Sequence, residues 1–210
     1  MSNSEMVESL IKRGYILTDK VKQAMLAVDR KFFTPPKVHP YYDMPYPVGH
    51  GQTISAPSVV TFMIEHLDLE PGMKVLEVGS GSGYNTAILS YLAGPEGKIV
   101  SIEVVPELNK LAEINLEKAG FTENVELCLG DGSCGYEKEA PYDRVIVTAA
   151  MPYLDKDHPL IVQLKNDGKI VAPVGNRYSQ EIIVYDKKTN SQKSVLPVIF
   201  VPLIGRYGFK

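Results

Sequence analysis

The ten residues from Val75 to Tyr84, VLEVGSGSGY, decide the fold class of this chain. Lys74–Val78 has the apolar character of a buried strand, and Tyr84–Leu92 has the pattern of a helix. Between them, glycines alternate with serines, and a backbone without side chains can lie close to a ligand. The segment therefore predicts a strand, a glycine loop and a helix, with a ligand at the carboxyl end of the strand.

Further strands and helices alternate along the chain after this unit. The predicted strands are Lys98–Ile102, Val125–Leu129, Arg144–Thr148 and Lys169–Val174, and the predicted helices are Pro106–Ala119 and His158–Leu164. This alternation predicts a Rossmann-like α/β fold, a mostly parallel sheet with helices on both faces. Two later apolar segments, Glu181–Tyr185 and Val195–Leu203, flank a polar turn and predict an antiparallel hairpin at one edge.

The N-terminal third predicts helices joined by a long loop. A helix begins at Thr18-Asp19, and another begins at Ser55-Ala-Pro57 with Ser55 as its N-cap. Between them, Thr34–Gly51 is rich in proline, tyrosine and glycine and predicts a loop. We expect one domain over residues 1–210: a helical and loop extension (1–70), a Rossmann-like core (71–176) and C-terminal strands (177–210).

Composition narrows the class of protein. The chain has 210 residues, 44% of them hydrophobic, and a formal net charge of −3. This charge does not favour a nucleic-acid partner, and no apolar run is long enough to span a membrane. Two cysteines, Cys128 and Cys134, match neither a disulfide scaffold nor a zinc pattern. We therefore expect a cytoplasmic protein that binds no metal, membrane or nucleic acid. Composition does not determine the oligomeric state, and the expectation that we adopt is a monomer.

The glycine loop favours S-adenosyl-L-methionine over a dinucleotide. The dinucleotide pattern Gly-x-Gly-x-x-Gly fails, because its last position falls on Tyr84 or Thr86. Acidic residues stand where a sulfonium nucleoside needs them: Glu103 for the ribose hydroxyls, Asp131 for the adenine amine and Glu77 for the cationic methionine end. Each carboxylate alone is typical of a solvated or capping group, but their arrangement after successive strands predicts a cofactor site.

The methyl acceptor is predicted to be an ionised carboxylate. Histidines are few and each is more typical of a structural role, and the segment Thr148–Pro152 is small and neutral where an amine methyltransferase has an Asn-Pro-Pro-Tyr type of element. A carboxylate needs orientation and exclusion of water more than it needs a base. Ser55 is then either a helix cap or the group that orients the acceptor, and both roles are compatible with its position.

Several stretches resemble the protein-L-isoaspartate O-methyltransferase family. They are Gly51–Pro57 (GQTISAP), Val78–Tyr84, Gly130–Gly132 (GDG), Pro141–Ala150 (PYDRVIVTAA) and Phe200–Leu203 (FVPL). The resemblance implies methyl esterification of the free α-carboxylate of L-isoaspartyl residues, and more weakly of D-aspartyl residues, in damaged proteins and peptides. The ester then converts to a succinimide.

The resemblance also implies roles for individual residues. Ser55 matches the active-site hydroxyl of the family, and Asp131-Gly132 flank the adenine. Glu103 takes the ribose, and Val104 beside it replaces a residue that is often basic. The remaining cofactor positions implied are Gln52, Thr53, Ile54, Gly79, Ser80, Gly81, Ser82 and Gly83.

Two other functions are compatible with the residues alone. One is a methyltransferase for RNA or a small molecule, which the acidic charge balance disfavours for RNA. The other is a nucleotide-sensing module of Rossmann type without turnover, which leaves the Ser55 segment without a purpose. Methyl transfer to nucleotides but not to peptides would favour the first, and cofactor binding without product would favour the second.

Overall fold

Nine strands and six α-helices form in the chain, and the computed structural model describes all residues from 1 to 210. The strands are β1 (Tyr46–Gly49), β2 (Gln52–Ile54), β3 (Lys74–Val78), β4 (Lys98–Glu103), β5 (Val125–Leu129), β6 (Tyr142–Val147), β7 (Leu164–Gly175), β8 (Gln180–Asp186) and β9 (Ser191–Val198). The helices are α1 (Asn3–Lys12), α2 (Asp19–Ala27), α3 (Pro57–Leu67), α4 (Tyr84–Ala93), α5 (Pro106–Ala119) and α6 (Pro159–Val162).

Seven strands form one sheet in the order β5-β4-β3-β6-β7-β8-β9. The pairs from β5 to β7 are parallel, and β7–β8 and β8–β9 are antiparallel. The predicted Rossmann-like sheet and its edge hairpin are therefore confirmed. From β3 the chain adds β4 and β5 on one side and β6 and β7 on the other, and this reversal opens a crevice at the carboxyl ends of the strands.

The central strand β3 is buried on both faces. Val75 and Leu76 are 0% exposed, and because side chains alternate along a strand they belong to two different apolar clusters. The cluster that contains Val75 also includes apolar residues of α1, α2, α3 and α4. The N-terminal helices therefore cover one face of the sheet and bury its apolar side chains.

Helix α1 was not predicted, although the sequence carries a signal for it. Ser2 and Glu5 form a capping box: the Ser2 hydroxyl accepts from the Glu5 backbone N–H, and the Ser2 backbone N–H donates to the Glu5 carboxylate. Met6, Val7 and Leu10 then bury one face of the helix.

The predicted loop Thr34–Gly51 was wrong at its end, where β1 pairs with β2 as a separate two-stranded ribbon. The prolines and glycines in this segment masked the strand, because they count against a strand by composition.

The end of the last predicted strand was also wrong. Strand β9 stops at Val198, and the segment Ile199–Lys210, called the C-terminal strap below, leaves the hairpin. The strap returns to the sheet, where Ala150 donates to the Val201 carbonyl and Leu203 donates to the Ala150 carbonyl, each at 2.8 Å. This return carries the strap to the carboxyl ends of the parallel strands. None of the helices has both the length and the apolar character needed to cross a membrane.

Candidate functional site

A cavity that is partly open to solvent lies at the carboxyl ends of β3, β4 and β6. Its walls come from the glycine loop, the ends of β4 and β6, the start of α3 and the C-terminal strap. The structure brings most of the predicted site residues to it: Gln52, Thr53, Ile54, Ser55, Gly79, Ser80, Gly81, Ser82, Glu103, Val104 and Gly132. The predicted residues Glu77, Gly83 and Asp131 do not line it.

The glycine loop packs tightly at its ends and is open in its middle. A Cβ atom on Gly79 would collide with the Thr148 hydroxyl, which itself donates to the carbonyl of Gly79 at 2.7 Å. A Cβ atom on Gly83 would lie 3.3 Å from the backbone of Ala112 in α5. Gly81 has no neighbouring atom within 4 Å of that position and lines the cavity. The loop therefore leaves room for a ligand at its centre.

Glu103 ends β4 with its side chain held by backbone amides. One carboxylate oxygen accepts from the Gly81 N–H at 3.0 Å, and the other accepts from the N–H groups of Val104 and Val105 at 3.0 and 3.1 Å. The residue is only 6% exposed and lines the cavity. Because a carboxylate oxygen can accept two hydrogen bonds, the oxygen bound to Gly81 keeps one acceptor position.

Glu77 lies inside the sheet beneath the glycine loop. Burial raises the pKa of its carboxyl group, against hydrogen bonds from Ser101, Thr86 and Asn85 that lower it. The Ser101 hydroxyl also bonds to that of Ser80 at 2.8 Å. Glu77 therefore connects, through Asn85 and through Ser101, to residues that do line the cavity.

Asp131 binds the C-terminal strap. Its carboxylate accepts from the Ser133 N–H and hydroxyl on one oxygen and from the Arg206 N–H at 2.7 Å on the other. Burial raises the pKa of Asp131, but these hydrogen bonds outweigh it and hold the pKa below its ordinary value. The next residue, Gly132, lines the cavity, and a Cβ atom there would lie 2.6 Å from the Val78 side chain.

Ser55 does not cap helix α3, so that interpretation was wrong. The N-cap is Ala56, one residue later than predicted, and no local side chain caps the helix. Asp43, from the proline-rich segment, accepts from the Ser58 N–H in the first turn at 2.8 Å. The Ser55 hydroxyl makes no hydrogen bond within the protein, while the residue lines the cavity.

No histidine lines the cavity, and most have structural partners. The histidines are His39, stacked on a tyrosine; His50, exposed; His66, bonded within α3; and His158, the N-cap of α6. The site thus offers no imidazole as a proton acceptor.

Several residues that line the cavity were not among the site residues predicted from the sequence. They are Val59, Val60, Met63, Val78, Tyr84, Asn85, Ile102, Thr148, Ala149, Phe200, Val201, Pro202, Leu203 and Ile204. The stretch Phe200–Leu203 contributed to the family resemblance, but only the hydrogen bonds between the strap and Ala150, just after β6, place it at the cavity.

The fold and site define an S-adenosylmethionine-dependent methyltransferase. The family model for protein-L-isoaspartate(D-aspartate) O-methyltransferase matches residues 1–208. The chain belongs to this family.

Relatives of the same name match over nearly their whole length. The chain is 48% identical to the protein-L-isoaspartate O-methyltransferase of Hyperthermus butylicus, covering 98% of this chain and 89% of the relative. It is 47% identical to that of Methanothrix thermoacetophila, covering 100% and 98%.

Solved structures of the family have the same architecture. A Plasmodium falciparum protein-L-isoaspartate O-methyltransferase structure in complex with S-adenosyl-L-homocysteine is 27% identical, with a TM-score of 0.87 over 97% of this chain and 99% of that one. A second structure of a protein-L-isoaspartate O-methyltransferase is 30% identical, with a TM-score of 0.86 over 98% of this chain and 67% of that one.

Proposed function

We propose that this protein transfers a methyl group from S-adenosyl-L-methionine to the free α-carboxylate of L-isoaspartyl residues, and more weakly of D-aspartyl residues, in damaged proteins and peptides. The product is a methyl ester that converts to a succinimide. The observation that carries this proposal is the cavity itself. It joins an open glycine loop and Glu103 on one side to the unbonded hydroxyl of Ser55 on another, in a chain of the isoaspartate methyltransferase family.

The residues present fit the cofactor. Gly81 leaves open space where a side chain would stand, and Glu103 keeps an acceptor position for a ribose hydroxyl. Ile102, Val104 and Leu203 supply apolar surface for a purine. When bound, S-adenosyl-L-methionine supplies an electrophilic methyl group on its sulfonium sulfur. Glu77 lies behind the cavity wall and does not contact the cofactor directly. We assign it the role of orienting Asn85 and, through Ser101, Ser80.

The adenine end is formed by Gly132 and the C-terminal strap. Asp131 holds this end together, because its carboxylate ties the backbone of the strap to the segment after β5. The oxygen that accepts from the Arg206 N–H also accepts from the Cys134 thiol at 3.6 Å, so Asp131 supports the adenine end by holding the strap.

The acceptor end needs no general base. A carboxylate is already the nucleophile at neutral pH, because the ordinary pKa of a carboxyl group lies near 4. What the protein supplies is orientation and exclusion of water. Ser55 fits the first task, because its hydroxyl is free to donate to a carboxylate oxygen. The apolar side chains of Val59, Val60 and Met63 fit the second.

We also propose that the protein is a cytoplasmic monomer of one domain. Cys128 and Cys134 are both free thiols, which suits a reducing compartment. One apolar cluster joins side chains of the N-terminal helices to side chains of the sheet, which supports residues 1–70, 71–176 and 177–210 as parts of one domain.

Methylation of matched peptides tests the proposed function. Three peptides of one sequence carry an isoaspartyl linkage, a normal aspartyl linkage, or an isoaspartyl residue with its α-carboxylate blocked as an amide. With labelled S-adenosyl-L-methionine, only the first should gain base-labile label. Equal labelling of the first two, or label in none, would overturn the proposal. Label in RNA alone would instead favour the nucleic-acid alternative.

A further inference from the structure

Arg30 is a fully buried cation behind the acceptor end of the cavity. It begins a short 3₁₀ helix, and its side chain is 0% exposed. One guanidinium nitrogen donates to the carbonyl of Ser55 at 2.8 Å, and the guanidinium carbon lies 5.0 Å from the ring centroid of Tyr84. Ser55 and Tyr84 both line the cavity, so the charge of Arg30 stands directly behind two of its wall residues.

This charge has no counter-ion within the protein. No carboxylate lies within 4 Å of the Arg30 guanidinium, and two of its nitrogens, Nε and Nη1, have no hydrogen-bond partner. Asp43 is the acidic residue with the strongest influence on it, but its carboxylate already binds Arg13 at 2.6 Å and the N–H of Ser58. Its partners are the carbonyls of Ser55 at 2.8 Å and Met44 at 3.5 Å and the ring of Tyr84, and a buried charge that lacks a counter-ion is unfavourable.

The acceptor carboxylate of the proposed reaction carries a negative charge, which the protein itself does not place beside Arg30. We propose that Arg30 is a positioning residue for the acceptor carboxylate: acting through the wall that Ser55 and Tyr84 form, its charge makes this end of the cavity selective for an anion. The inference rests on the proposed function, because it takes the acceptor to be a carboxylate. Between the guanidinium and the cavity stand only protein groups, and a charge acts more strongly through them than through water.

Kinetics should separate this role from a general contribution to folding. Positive charge that attracts the acceptor acts on its binding, so Arg30→Met should raise KM for an isoaspartyl peptide about tenfold or more and change kcat by less than about threefold. The affinity for S-adenosyl-L-homocysteine should stay the same. Arg30→Lys keeps the charge, so its KM should lie much closer to that of the parent protein than the KM of Arg30→Met.

Selectivity for charge is the readout that a structural role would not move. The isoaspartyl peptide and its neutral α-carboxamide analogue are compared as competitive ligands, and the ratio of their affinities measures the preference for an anion. In Arg30→Met this ratio should fall about tenfold, and in Arg30→Lys it should stay within about threefold of the parent protein.

Arg144→Met is the matched control. Arg144 is also buried, 7% exposed, and also donates to backbone carbonyls, at Leu67, Asp68 and Asp143. Neither Arg144 nor any of these partners lines the cavity. Its removal should lower the melting temperature and leave the affinity ratio unchanged.

Each result decides between the two proposals. A parent protein that does not label the isoaspartyl peptide defeats the proposed function itself. A parent protein that labels it, with an unchanged affinity ratio in folded Arg30→Met, defeats the role of Arg30 alone. If Arg30→Met does not fold, Arg30→Lys decides: loss of the carboxylate preference in this variant, which retains the charge, would overturn the inference.

Discussion

Replacing Ser55 by alanine separates its two possible roles, helix cap and acceptor contact. The structure gives its hydroxyl no partner within the protein and gives the first turn of α3 a different cap, Asp43. Loss of a real N-cap costs about 1 kcal/mol, which for a chain of this size lowers the melting temperature by about 2–4 °C. Ser55→Ala should therefore leave the melting temperature unchanged within about 1 °C.

The effect on catalysis should be much larger than the effect on stability. A hydrogen bond to a charged group contributes about 1.5–3 kcal/mol, and its loss from the oriented acceptor corresponds to about a 10- to 100-fold fall in kcat/KM. The affinity for S-adenosyl-L-homocysteine should not change, because we assign cofactor binding to the glycine loop and Glu103 at the other side of the cavity. Turnover is measured with the isoaspartyl peptide and the affinity by calorimetry.

Thr18→Ala provides the control for capping. Thr18 is an observed N-cap: its hydroxyl accepts from the Val21 N–H at 3.4 Å and donates to the Glu65 carboxylate at 2.9 Å. This variant should lose about 1 kcal/mol of stability and keep its turnover. The opposite pattern for Ser55→Ala, lower melting temperature with unchanged turnover, would return Ser55 to the capping role and refute its contact with the acceptor.

Two further substitutions test the cofactor end. Glu103→Gln places an amide N–H₂ opposite a backbone N–H that now donates to the carboxylate. The variant should bind S-adenosyl-L-homocysteine about 1–3 kcal/mol more weakly. An unchanged dissociation constant would show that Glu103 does not bind the ribose. Asp131→Asn weakens the hydrogen bonds from Ser133 and from the Arg206 N–H of the strap. Strap amides should then exchange faster, and the affinity for S-adenosyl-L-homocysteine should fall about 3- to 10-fold. Unaltered exchange would show that Asp131 does not hold the strap.

The same aspartate gives a pH dependence. Burial raises the pKa of Asp131, but the hydrogen bonds from Ser133 and Arg206 lower it by more than burial raises it. The pKa therefore lies below the ordinary value of 3.8. A carboxyl group with a lowered pKa in the folded state contributes stability above its ordinary pKa and loses it as the pH falls below. Relative to the intrinsic chemical exchange rate at each pH, the protection of strap amides should therefore fall below about pH 4 in the parent protein, and this fall should be absent in Asp131→Asn.

Local patterns in the sequence were sufficient to predict the fold and to name most of the residues that the structure brings to one cavity. The alternation of short apolar strands with helices predicts a parallel sheet, and the carboxyl ends of such strands meet at one edge. Helix α5 and strand β5 have the predicted bounds, because Pro106 and Gly120 mark the helix ends and polar turns flank the strand. The sequence alone is enough to place Gly81 near Glu103, because the two residues lie at the ends of neighbouring strands.

Only the tertiary structure determines what caps α3, where the strap lies and that the charged side chain of Arg30 lies behind Ser55. Asp43 reaches the first turn of α3 from 15 residues away, so no local pattern reveals that Ser55 is free. The strap meets Asp131 from 75 positions further along the chain, and Arg30 reaches Ser55 across 25. Periodicity and turn chemistry act between residues a few positions apart, whereas these contacts depend on how separate elements pack, and only the folded chain determines that.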